Sequence, residues 1–105
     1  MGVIVIAAYR PKEGKAEEVL ALTREHHGIL AKEGLVTPRT PILMRSSDDT
    51  VVEVFEWVSQ AAIETAHANP AVLELWARYA EISEYVKLPQ LPESEQLFAG
   101  FASVD

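Results

Sequence analysis

Two stretches of this chain are apolar on both of their alternating faces, and they restrict its architecture more than anything else in it. Residues 2–10, GVIVIAAYR, are a β-branched run with no polar side chain before Tyr9. Residues 50–58, TVVEVFEWV, place Val52, Val54, Glu56 and Val58 on one face of a strand and Val51, Glu53, Phe55 and Trp57 on the other. A half-solvated strand alternates apolar with polar side chains. One that is apolar on both sides needs cover above and below its sheet.

The cover has to come from helices. Lys15 to Lys32 has helical periodicity, with Ala16, Val19, Leu20, Thr23, His27 and Leu30 on one stripe and Glu17, Glu18, Arg24, Glu25 and Lys32 largely elsewhere. His26 falls nearer the edge of that stripe and is expected to be partly exposed. Gly34 supplies the stop. Ser59 is a good N-cap for a short helix over Gln60 to Ala68. Asn69-Pro70 reads as a second N-cap followed by proline at the first helical position. Residues 71–87 then carry Val72, Leu75, Trp76, Tyr79, Ile82 and Val86 on one stripe. Residues 35–46 are extended, held to an edge or irregular path by Pro38 and Pro41. Pro89 and Pro92 bound a loop, and residues 95–103 form the last strand.

The resulting order, β-α-β-β-α-β, predicts an α+β fold: a ferredoxin-like βαββαβ sandwich, an antiparallel sheet with two helical segments on one face. The other face is left bare although its strands are apolar. Packing against a second copy buries it, so a homodimer through the sheet face is expected. The 105 residues suit one domain spanning 1–105.

Composition narrows the partners. Nine Lys plus Arg against sixteen Asp plus Glu give a net charge of −7, which argues against nucleic acid or an anionic membrane. The absence of cysteine excludes disulfides, thiolate nucleophiles and Cys-ligated metals. The apolar N-terminus is too short to span a membrane and lacks a basic leader, so a cytoplasmic protein is expected.

Few residues are left to do chemistry. His67 closes the short helix, and its imidazole, titrating near neutral pH, could act as a general base; its structural alternative is a helix C-terminal contact. His27, near the centre of an apolar stripe, needs a buried partner or a wet cavity. Trp57 and Trp76 fill core volume or wall an aromatic pocket, and Tyr79 lies one turn beyond Trp76. Tyr9 and Arg10 end the first strand, where a pocket mouth is plausible. Glu53 and Glu56 face opposite sides of their strand, and a salt bridge, with Arg45 as partner, would explain one of them. Adjacent His26 and His27 point about 100° apart on a helix and make no metal motif. No Gly-rich phosphate loop is present, so no nucleotide cofactor is indicated.

Four segments together resemble the antibiotic biosynthesis monooxygenase (ABM) domain family of the dimeric α/β-barrel superfamily: YRPKEGKAEEVL, SSDDTVVEVFEW, EWVSQAAIETAHANPAV and the FAGF of the last strand. The third is the most specific. Trp57, Ser59, Ala62 and His67 are similar to the family's aromatic-x-S/D-x-x-A-x-x-x-x-H pattern. The resemblance covers nearly the whole chain and implies a dimer with a pocket in each subunit between helices and sheet. Its members include cofactor-independent oxygenases of phenols and quinols, heme-degrading enzymes, an isomerase and proteins without known activity. The heme-degrading branch uses an Asn on the first strand, a Trp in the short helix and a later His. Here the first strand has no Asn, and the other two positions fall on Ala66 and Trp76. The resemblance therefore implies a cofactor-independent monooxygenase of a small aromatic or quinol-like compound. His67 would be its base, with His27, Trp57, Trp76 and Tyr79 lining the pocket. The alternatives are a non-enzymatic ligand-binding or stress-associated dimer, or an isomerase of the same fold.

Overall fold

The computed structural model describes residues 1–104. In chain order these form β1 (Val3–Pro11), α1 (Ala16–Lys32), β2 (Ile42–Arg45), β3 (Val51–Trp57), α2 (Gln60–Ala66), α3 (Pro70–Ile82), β4 (Ser83–Tyr85) and β5 (Ala102–Val104). Two single-turn 3₁₀ segments, Leu88–Gln90 and Pro92–Glu95, lie between β4 and β5. The strands make one antiparallel sheet in the order β4-β1-β3-β2-β5. This is the expected ferredoxin-like arrangement with a fifth strand added.

The doubly apolar strands sit at its centre. β1 and β3 pair from Val3↔Trp57 to Tyr9↔Val51. That register places Val5, Ala7 and Tyr9 beside Phe55, Glu53 and Val51 on the face packed against the helices. Ile4, Ile6 and Ala8 share the other face with Glu56, Val54 and Val52.

The helix boundaries follow local chemistry. Ser59 Oγ accepts from the Ala62 N–H at 3.1 Å, and Asn69 Oδ1 accepts from Ala71 and Val72 ahead of the Pro70 turn. At the end of α1 the Leu35 N–H reaches the Leu30 carbonyl and the Gly34 N–H the Ala31 carbonyl, with Gly34 at φ 70°. That is a Schellman closure, and it requires the left-handed backbone that glycine adopts without strain.

Three departures from the sequence reading have physical causes. First, α1 buries Val19, Leu20, Thr23 and Leu30 as expected, together with Leu22, but His26 takes the inward place and His27 is only half-buried. Second, α3 stops at Ile82, not at residue 87. Ser83 turns extended and its hydroxyl donates to the Tyr79 carbonyl at 2.7 Å, while residues 83–85 find ladder partners in Tyr9–Pro11. Sheet pairing offered Tyr85 and Val86 more than another helical turn. Third, residues 96–101 are irregular and the final strand is only Ala102–Val104, paired with β2 at the far edge.

The segment between β4 and β5 crosses the back of the sheet as a strap. Val86, Leu91 and Phe101 pack on Ala8, Val52 and Met44. Glu93 pins it, accepting from the Ser46 hydroxyl at 2.7 Å and the Ser47 N–H at 2.9 Å. Ile4, Ile6 and Ile42 stay uncovered, at 55%, 49% and 60% exposure. No helix among the described residues is long and apolar enough to cross a membrane.

Candidate active site

Beneath the helices the apolar face of the sheet carries one carboxylate. Glu53 is 0% exposed, flanked along β3 by Val51 and Phe55. An unpaired charge there would be prohibitively expensive, so its partners define the site. The Tyr9 hydroxyl, from β1, donates to Glu53 Oε1 at 3.0 Å. His26, from α1, brings its Nδ1 to 2.9 Å from Oε1 and 3.1 Å from Oε2. The expected Arg45 pairing is not formed. Glu56, on the opposite face, takes Arg39 at 3.0 Å and the Thr37 hydroxyl at 2.9 Å.

The protons in this cluster are set by their surroundings. Burial first, and then the charge of Glu53, push the Tyr9 hydroxyl well above its ordinary range, so it stays protonated and donates. Tyr79 stacks on Tyr9 at 4.3 Å and 17°, donates to Thr23 Oγ1 at 2.9 Å, and is likewise pushed up mainly by burial. The Thr23 hydroxyl in turn donates to the Val19 carbonyl at 2.8 Å. The carboxylate oxygens can only accept, so His26 Nδ1 carries the hydrogen of this contact. The ring also borders open space.

That space is a cleft of about 330 Å³ with His26 in its wall. Val5 and Ala7 form its small-residue side, and Tyr9, Phe55, Trp57, Trp76 and Tyr85 surround it with aromatic rings. His26 meets Phe55 edge-on at 5.1 Å and Tyr79 at 5.7 Å, so its ring is wedged in one orientation. The result is an apolar slot with a single oriented imidazole, suited to a flat ring that offers one acidic hydrogen.

The residues singled out from the sequence scatter around this slot. Trp57 and Trp76 line it. Tyr79 lies behind Tyr9, 0% exposed, supporting the floor without reaching the cleft. His27 turns away, its Nε2 at 2.9 Å from the Thr37 carbonyl in the connection leading to β2. His67 is exposed at the end of α2, with Nδ1 2.9 Å from the Ile63 carbonyl and its ring edge-on to Trp76 at 5.1 Å. It touches the outer side of a cleft wall. His26 and Glu53 were passed over as site residues, although signals existed for both. One was a stripe that can be drawn through residues 19, 23, 26 and 30; the other was an acid on an inward face shared with Val51, Phe55 and Trp57.

The fold, a ferredoxin-like sheet beneath helices, is shared with several solved structures. Among solved structures, SnoaB, a cofactor-independent oxygenase from Streptomyces nogalater, superposes with a TM-score of 0.66 at 17% identity, over 85% of this chain and 98% of its own. Rv0793 from Mycobacterium tuberculosis matches with a TM-score of 0.64 and 21% identity, over 82% of this chain and 89% of that one. SO0527 from Shewanella oneidensis gives 0.62 and 22%, over 81% and 84%. No family model and no curated protein matches the sequence.

Proposed function

We propose that this protein is a cofactor-independent monooxygenase of a small aromatic, quinol-like compound, with His26 as the general base. The observation that carries the reading is the Glu53–His26 pair, whose imidazole lines an aromatic cleft. The similarity in fold to SnoaB supports the reaction class.

In this reading His26 Nε2 takes the phenolic proton, and Glu53 stabilises the imidazolium that results. The electron-rich quinolate then meets dioxygen directly. One oxygen atom replaces a ring hydrogen, the ring is oxidised to the hydroxyquinone, and the second oxygen leaves as water, so quinol plus O₂ balances hydroxyquinone plus H₂O. The substrate supplies all the electrons. Trp57, Trp76 and Tyr85 hold the ring, and Tyr79 keeps Tyr9 in place beneath it.

The bare half of the back face, with Ile4, Ile6 and Ile42, fits a homodimer through the sheet. The cleft opens on the opposite, helical side, so dimerisation leaves it accessible.

Oxygen-electrode measurements with one- and two-ring quinols test the assignment. Uptake matching hydroxyquinone formation one to one, reduced by about 10²–10⁴-fold in His26→Ala, is expected. Turnover without oxygen uptake identifies an isomerase. Saturable binding of the ring compounds without turnover identifies a ligand-binding protein.

A further inference from the structure

The strap behind the sheet carries both a wedge and a groove. The wedge is Leu97–Phe98, whose side chains are 92% and 87% exposed. The groove lies between strap and sheet, a hollow of about 220 Å³ lined by Ile6, Met44, Val52, Leu91 and Phe101, with half-exposed Leu88 beside them. We propose that the groove receives a second copy of this chain: Phe98 of one protomer seats in the groove of the other, and the partner's Phe98 returns the contact.

Four features point to this occupant. A hollow of roughly 150 Å³ holds a benzene ring, so 220 Å³ is ample for a phenyl group. Ala99, the residue next to Phe98, lines the groove itself. A twofold axis beside it therefore brings each wedge to the other groove in one operation, as an isologous interface demands. At their observed exposures Leu97, Phe98, Ile4, Ile6, Ile42 and Leu88 together offer apolar surface on the order of the ~800 Å² per partner of a standard interface. Finally, residues 96–103, QLFAGFAS, are uncharged in a chain of net charge −7. An uncharged patch lets two such chains approach without like-charge contact, whereas an anionic lipid surface would repel them.

This rests on the reading that the sheet face is a dimer interface, and names the contact that locks it. The chain has no cysteine, so single thiols report the geometry cleanly. Full-length Phe98→Cys is mixed with differently tagged Leu88→Cys, the mixture is oxidised mildly, and the heterodisulfide is quantified beside sedimentation of the unmodified protein. The control pairs Phe98→Cys with Leu73→Cys, an exposed position on α3. A dominant 98–88 heterodisulfide, at least tenfold over the control, is expected. A dimer that gives no more 98–88 product than control overturns the wedge and leaves the sheet-face dimer standing. A monomer at all concentrations overturns both.

Discussion

His26 and Glu53 meet with Nδ1 2.9 Å from Oε1, at 4% and 0% side-chain exposure, and thereby join α1 to the centre of the sheet through a buried ionisable pair. Such a pair is weak evidence for stability, because desolvation offsets most of its attraction. It is strong at fixing orientation. The carboxylate determines which imidazole nitrogen bears hydrogen, and the rings of Phe55 and Tyr79 determine where the other one points.

Glu53→Gln separates these two roles. The amide keeps the shape and can still accept from Tyr9. In the Oε1 position its oxygen also accepts from His26 Nδ1, so the ring keeps its orientation while the charge that would stabilise the imidazolium is lost. Oxygen uptake should fall by about 10²–10⁴-fold, while urea denaturation shows a loss of only about 1–3 kcal/mol. Uptake within threefold of the unmodified protein would remove His26 from the role of base.

How far all this was legible before the structure depends on the element. The central strands announced themselves because Val, Ile and Phe on both faces permit no other placement, and the two caps at Ser59 and Asn69 follow from side-chain oxygens adjacent to helical runs. The end of α3 did not, because Ile82 and Val86 fit a helical stripe and a strand equally well; only the ladder partners on β1 decide between them. For the site, the two tryptophans were visible as large aromatics at inward positions. His26 was hidden because a stripe through Val19, Leu20, Thr23 and Leu30 admits either adjacent histidine, and only the packed fold turns His26 inward and leaves His27 half-buried. Glu53 was recognised as facing one side, but its partners lie 27 and 44 residues away on other elements.

Tyr9 makes stability fall at alkaline pH. Its folded pKa lies above the ordinary 10.0, through burial and the neighbouring Glu53 carboxylate. Between those values the unfolded chain has lost a proton that the folded chain retains, so stability drops as pH rises, by up to roughly 1.4 kcal/mol per pH unit for each such tyrosine. The contribution is complete below pH ~10 and disappears above it. Tyr79 adds in the same direction. Urea midpoints from pH 8 to 11 should decline beyond pH 10, and Tyr9→Phe should decline less steeply although it is less stable at pH 7. Parallel curves for the two proteins would contradict the buried, protonated hydroxyl.

Gly34 tests the closure of α1. Its φ of 70° is left-handed, and an added Cβ meets no neighbour within 4 Å, so any penalty comes from the backbone alone. Gly34→Ala should lower the unfolding free energy by about 1–2 kcal/mol with an unchanged denaturant slope. Gly34→Asn should recover part of it, since Asn tolerates that conformation. An alanine variant as stable as the parent would show that the Leu35–Leu30 closure is not maintained in solution.

His67 gives the sharpest contrast with His26, because sequence resemblance favours one and geometry the other. Its ring is exposed and Nδ1 donates to the Ile63 carbonyl, within its own helix end. Removing it should cost little stability, at most about 1 kcal/mol for a contact at a helix C-terminus. It also packs edge-on against Trp76, which lines the cleft. His67→Ala therefore frees that indole and should raise KM several-fold while kcat stays within about twofold, since the loss touches ring placement and not proton transfer. Phe at the same position restores an aromatic edge without any titratable nitrogen, and should return KM towards its original value. If His67→Phe instead loses kcat as severely as His26→Ala, the proton passes through His67, and the cleft would have to reorganise around Trp76 for it to do so.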